Sequence, residues 1–330
     1  MKTKLSRRRL LRVAASAGLL APPMRHGAFA QAWPSRIVRL LVGFPPGGGA
    51  DATTRIVANG LSEIWGQQVV VENRPGAGGN IAVDTAAHSP PDGYTMALVV
   101  VAPAIYGFLL GSLNYDPIAD IAPVSLIGTY PNMLVVSTSS KMLTLRDYID
   151  AAKANPGKIT FATPGVGTTA HLSGELFKRM AGIDITHVPY RGVQAGGLSD
   201  VMTGRVDAMF NTTGSLLQAV RSGQVRGLAV TSGQRFPTAP ELPTIAEAGV
   251  PGFDVTAWYG IFVPARTPQD IVQKMHADIL KMLDQPAVKA RFEPLGVVVG
   301  GSTPAELAAR ARADAELWAP IIKAAGIRGE

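Results

Sequence analysis

The chain of 330 residues contains no cysteine. It therefore forms no disulfide, offers no thiol nucleophile and has no lipid-modified amino-terminal cysteine, so an ordinary apolar core must hold it together. Charged residues make up only 17% and aromatic ones 6%. A Gly-x-Ser-x-Gly elbow is missing, and Ser215 after Gly214 lacks the second flanking glycine, which removes the usual signature of an exported hydrolase. No glycine-rich turn carries the lysine of a phosphate loop. Gly76-Ala77-Gly78-Gly79 lacks the combined spacing and later acidic residue of a dinucleotide fingerprint. The histidines are isolated, with no His-Asp/Glu set at metal spacing. No cofactor or metal is expected.

What is present begins with an export signal. Ser6-Arg7-Arg8-Arg9 precedes a weakly apolar stretch, Val13 to Ala21, and Ala28-Phe29-Ala30 offers a small-x-small cleavage site before Gln31. The stretch is far shorter than the roughly 20 residues that span a bilayer. Its arginine pair and modest apolarity resemble a twin-arginine signal, with a general secretory signal as the alternative. The seven basic residues of 1–30 account for the whole net charge of +7, leaving 24 basic residues against 24 acidic ones. No basic surplus remains for nucleic acid or an anionic membrane, and a monomer in the periplasm is expected.

The mature chain then runs as βαβ grammar, which implies mostly parallel sheets. Ile37 to Val42 reads as a buried strand, Gly43-Phe44-Pro45-Pro46-Gly47-Gly48-Gly49-Ala50-Asp51 as a turn, and Thr53 to Trp65 as a helix. Such a turn presents free backbone N–H groups at a helix N-terminus, a seat for an anion. The bland alternative is a tight connection in which glycines merely permit unusual dihedrals. A second turn repeats the arrangement: Thr163-Pro164-Gly165-Val166-Gly167-Thr168-Thr169-Ala170-His171, between a strand at Lys158 to Ala162 and a helix at Leu172 to Met180. Ala122 to Ile127 and Met133 to Val136 read as a passage between domains. Ala102-Pro103-Ala104 ends the strand Thr95 to Val101, Trp258 to Val263 is a late strand, and Pro304 to Ala325 is the closing helix.

Taken together, Phe44-Pro-Pro-Gly-Gly-Gly-x-Asp51, Asn73-x-Pro-Gly-Ala-Gly-Gly79, Tyr115-Asp-Pro117, Thr163-Pro-Gly-x-Gly-Thr-x-x-His171, Val188-Pro-Tyr-Arg-Gly192 and Pro243-Thr-x-x-Glu-x-Gly249 resemble the Bug family. These are the extracytoplasmic receptors of tripartite tricarboxylate transporters. The resemblance covers essentially the whole mature chain. It implies an α/β periplasmic-binding-protein fold (type II-like) of two domains, each a mostly parallel sheet flanked by helices, with the ligand in the interdomain cleft. The expected boundaries are 33–126, 127–250 and a return over 251–330. The implied partners are a small carboxylate and membrane transporter subunits, with no catalysis. A sensory receptor feeding a signalling partner is the alternative, and an exported hydrolase a more distant one.

In that family the carboxylate contact comes from the opening strand-helix loop and its counterpart, here Phe44 to Asp51 and Thr163 to Thr169. The candidate ligand-binding set is Phe44, Pro46, Gly47, Gly48, Gly49, Asp51, Ala102, Thr163, Gly165, Gly167, Thr168, Thr169, His171, Arg191, Asp207 and Phe210. Asp51 is first a shaper of its loop, because a buried negative charge beside a bound carboxylate opposes binding. His171 is read as structural before anything else. Phe210 and Trp258 wall a ligand or simply fill the core, and Arg191 grips a distal carboxylate or pairs at the surface. Val193-Gln194 departs from the family's glycine pair, and Asn211-Thr212-Thr213-Gly214 maps onto no family pattern, so ligand identity stays open. Bulk at Gly48 is expected to crowd the ligand, with added strain if its φ is positive.

Overall fold

Strand β1 (Val38–Val42) is apolar at four of its five positions and those four side chains are fully buried. A strand so enclosed belongs in the middle of a sheet. It lies parallel between β2 (Val69–Asn73) and β3 (Thr95–Val99). Helix α1 (Gly49–Trp65) follows β1, buries Ile56, Val57 and Leu61, and stops at Gly66, whose φ of 62° favours glycine. A glycine turn (Ala77–Gly79) and α2 (Asn80–Ala87) lead to β3, and α3 (Pro103–Leu110) follows it. The structure is a computed structural model and describes residues 33–190 and 196–328.

The second half repeats this plan. Central β5 (Thr160–Thr163) lies parallel between β6 (Thr186–Pro189) and β7 (Ala208–Thr212). Its helices are α4 (Leu145–Ala154), α5 (Thr169–Ala181), α6 (Gly197–Met202) and α7 (Thr213–Arg221), the last followed by β8 (Val225–Val230). Two long strands join the halves: β4 (Ile121–Ser137) and β9 (Thr256–Pro264). Along the sheet the order is β2-β1-β3-β9-β4-β7-β5-β6. The parallel clusters are thus closed by antiparallel neighbours, β9 against β3 and β4 against β7. Helices α8 (Gln269–Asp284), α9 (Pro286–Phe292) and α10 (Pro304–Ala325) finish the chain, with the short strand β10 (Val298–Val299) on β4. Contacts join residues 36–330 into one compact unit, so the two halves are defined by strand pairing.

The segments at Ala122 to Ile127 and Met133 to Val136 prove to be one 17-residue strand. Prolines 123 and 131 argue for a break, because each lacks a ladder donor. The strand absorbs Pro123 beside a register shift against β9, and Pro131 sits where pairing passes from β9 to β7. At Pro103 the sequence reading ends a strand where the chain instead opens α3, with Pro at the first helical position. That helix is apolar on most sides, so no amphipathic stripe announces it.

Candidate functional site

Loops at the carboxyl ends of parallel strands are where open α/β sheets place ligands, and two such loops face each other here. The first, after β1, is braced by Asp51. This carboxylate is 3% exposed. It accepts from Gly47 N at 3.0 Å, from Arg55 Nε and Nη2 at 3.0 Å each, and from Asn73 Nδ2 at 2.9 Å. Asn73 Nδ2 also donates to Phe44 O at 2.9 Å. Burial pushes the Asp51 pKa up, but the bonds from Arg55, Asn73 and Gly47 outweigh it and hold the group below the usual carboxylate range. Asp51 therefore clamps the loop to β2, as the sequence suggests. A Cβ on Gly43 would stand 2.4 Å from Gly79 Cα, so the loop rests directly on the glycine turn.

The second loop, after β5, is braced by histidines. Gly167 N donates to His171 Nδ1 at 3.1 Å, and Thr163 Oγ1 lies 2.7 Å from His187 Nε2. The two imidazoles stack with centroids 3.9 Å apart. Thr168 caps α5: its hydroxyl accepts from His171 N at 3.3 Å and donates to Gly165 O at 2.8 Å. That hydroxyl is occupied within its own loop. Thr168→Val is expected to cost about 1 kcal/mol of stability in urea unfolding, the usual worth of a lost helix cap.

Between the loops lies a small chamber of ≈ 50 Å³. Three helix N-termini meet on it: Gly48, Gly49 and Ala50 of α1, Thr168, Thr169 and Ala170 of α5, and Thr212 and Ser215 of α7. The third was not foreseen. Its sign in the sequence is a further strand, hydroxyl-rich turn and helix at Asn211-Thr212-Thr213-Gly214-Ser215. Gly49 N points to Ser215 Oγ at 3.4 Å, and Thr212 Oγ1 lies 2.9 Å from the same oxygen. Asn211 is 1% exposed and its Nδ2 has no hydrogen-bond partner among the described residues. Tyr130 of β4 and Tyr259 of β9 stack 4.2 Å apart along another wall. Burial pushes both phenols up, so they remain hydrogen-bond donors.

Among the described lining residues no side chain carries a charge. A wider cleft of ≈ 660 Å³ adjoins the chamber through Phe44, Pro45, Pro164 and Thr168, and runs out past Gly76–Gly79, Ile81 and Tyr190.

Of the candidate set, the structure brings Phe44, Pro46, Gly48, Gly49, Thr168 and Thr169 onto the chamber, and Gly165 onto the cleft. Gly48 has φ −88° and open space around its Cβ direction, so no backbone strain attends a side chain there. Gly47, Asp51, Thr163, Gly167 and His171 support the loops through the bonds above. Ala102 is buried ahead of α3, outside both linings. Asp207 lies at the far end of β7 and accepts from Thr160 N and Oγ1 at 2.8 Å each. Phe210 is core, packed against Phe161 and Phe177. Arg191 lies outside the described residues.

Two α/β halves with helix N-termini converging between them define the architecture of a solute-binding protein. The profile of the tripartite tricarboxylate transporter family receptors matches residues 53–327, and the chain belongs to that family of periplasmic binding proteins. A UPF0065 protein from the tcbD-tcbE intergenic region of a Pseudomonas species is 40% identical over 292 residues, covering 88% of this chain and 87% of that one. An R. palustris protein solved with adipate superposes with a TM-score of 0.84 at 36% identity, over 90% of this chain and 99% of the other. MatC from Rhodopseudomonas palustris, solved with bound malate, gives 0.81 at 31%, over 88% and 100%.

Proposed function

We propose that this protein captures a small organic carboxylate in the periplasm and delivers it to a tripartite tricarboxylate-type membrane transporter, without chemical turnover. One observation carries the reading: three helix N-termini and a ring of neutral hydroxyl donors surround a chamber with no charged side chain among its described lining residues. Helix dipoles and N–H groups favour an anion there. The solved relatives with adipate and malate support a carboxylate as that anion. Residues 33–126 with 251–330 act as one lobe and 127–250 as the other, hinged on β4 and β9. A carboxylate held by α1 on one lobe and by α5 and α7 on the other favours closure by as much as it prefers the closed form. Residues 1–30 are the export signal, cut near Ala30, and the mature receptor works as a monomer.

The test is a thermal-shift panel of mono-, di- and tricarboxylates with neutral sugars as controls. A ligand that binds only the native state raises Tm by mass action, about 2.7 kcal/mol of added stability at a hundred times Kd. Stabilisation by carboxylates with the ligand recovered unchanged is the expected result. Stabilisation by sugars alone, or recovery of a converted compound, rejects the reading.

A further inference from the structure

The last turn of β7 brings a side-chain amide to the chamber wall. Asn211 lines the chamber and is 1% exposed. Its Oδ1 accepts from Thr212 N at 2.8 Å, and because a backbone N–H can only donate, that bond settles which end of the amide is oxygen. Nδ2 is left buried with no hydrogen-bond partner among the described residues. A donor in that position has given up its bond to water and received nothing for it. Resting on the carboxylate reading above, we propose that Asn211 touches the ligand, its Nδ2 donating to an oxygen of the carboxylate head and so selecting a head group that only accepts.

The surrounding groups leave that donor for the ligand. Asn211 pairs in register with Met133 of β4, so the two share a face of the sheet. Asn132, whose own Oδ1 lacks a partner, precedes Met133 and faces the other way, toward α5, where its Nδ2 donates to Ser173 Oγ at 3.1 Å. Thr212 Oγ1 and Ser215 Oγ are engaged with each other at 2.9 Å. Tyr190 and Gly196, which flank residues 191–195, do not line the chamber. The bond to Thr212 N also holds the amide in place before any ligand arrives, so little ordering remains to be done on binding. An ionised carboxylate has only acceptor sites, and a hydrogen bond to it is stronger than one to a neutral oxygen. The amide and the N-terminus of α7 thus favour the same head group through independent groups.

Adipate and malate, titrated calorimetrically into the parent and into Asn211→Asp at pH 7.5, test this. The substitution keeps an oxygen for Thr212 N but turns the free donor into a second, charged acceptor, at a helix N-terminus that tolerates negative charge. Unliganded Asn211→Asp should therefore melt close to the parent, while its affinity for whichever acid binds the parent falls roughly tenfold or more. In protein labelled with ¹⁵N-asparagine, the side-chain amide signal that Asn211→Asp lacks should shift when the same acid is added to the parent. Affinity in Asn211→Asp within about twofold of the parent, or an amide signal that stays in place while the acid binds, overturns the inference. If Asn211→Asp does not fold, Asn211→Ala, which removes the donor without adding charge, serves for both measurements, and an affinity loss is again required. If neither acid binds the parent, the inference falls. The carboxylate reading then stands or falls separately, on whether any other acid of the panel stabilises the protein.

Discussion

Gly49→Ala is expected to reduce ligand affinity ten- to a hundredfold while leaving the fold intact. Gly49 opens α1, and its φ is not among the positive ones, so alanine fits the backbone there. Its added Cβ would stand 2.9 Å from Thr212 Oγ1, 3.3 Å from Tyr259 Oη and 3.7 Å from Ser215 Oγ. Those atoms line the chamber, so the methyl group occupies the place of the carboxylate head. Overpacking of this kind costs about 1–3 kcal/mol, and each 1.4 kcal/mol is about a factor of ten in affinity. Helix propensity favours alanine over glycine by up to about 1 kcal/mol and offsets part of the crowding against Thr212, so Tm should fall only slightly. Gly300→Ala is the control, because no atom lies within 4 Å of its Cβ position and it lines neither the chamber nor the cleft. Calorimetry and thermal melts on both variants make the comparison. If Gly49→Ala binds like the parent, the head group does not enter the chamber.

The second large effect is acid sensitivity. His171 is 4% exposed and its pKa is held down to about 3, first by burial and then by repulsion from His187 and Lys178. Burial, followed by Lys178, holds His187 down to about 4. In the unfolded chain both take a proton near pH 6.5. Between about pH 6.5 and 4 the unfolded state therefore binds more protons than the native one, and stability falls as pH falls. It is fully present only above that window. The slope approaches ~1.4 kcal/mol per pH unit for each histidine. Glu175, 3.9 Å from His171 Nε2, opposes part of the loss, because burial raises its pKa and the native state takes up its proton early. Urea unfolding from pH 7.5 to 4.5 should show the decline, and His187→Phe should flatten it. A parent profile already flat across that range would contradict the neutral stacked pair. Binding is expected to fail along with stability, since a protonated His171 cannot accept from Gly167 N.

Much of the frame was legible because its signals are local. A buried β-branched run, a glycine turn and an amphipathic helix each announce themselves within a few residues, so β1 with α1 and β5 with α5 appear where the patterns put them. The two opposed loops were legible for the same reason. What escaped depends on tertiary partners. Pro123 and Pro131 lie inside β4 because β9 and β7 hold the rest of that strand in register, a fact with no local trace. Asp207 and Phe210 both stood in the candidate set, the first just before β7 and the second inside it. Only the fold shows that Thr160 engages the first while Phe161 and Phe177 enclose the second. Thr212 and Ser215 went unassigned because their importance comes from facing Gly49 across the chamber.

The strand order carries a consequence for how the chain is made. Strands β3 and β4 follow closely in sequence yet do not pair with each other, because β9 lies between them. Synthesis reaches β9 at Thr256, long after β4 has ended at Ser137. Through that interval both strands present open edges, and the first parallel cluster waits for residues from the far end of the chain. Pairing over such separations is slow, and open edges invite the wrong partner. A nascent chain halted before Thr256 would hold two unsealed edges and half a hinge. The open edges of β3 and β4 are thus most vulnerable to wrong pairing at the stage when the second cluster is already complete and the first, though begun earlier, is not.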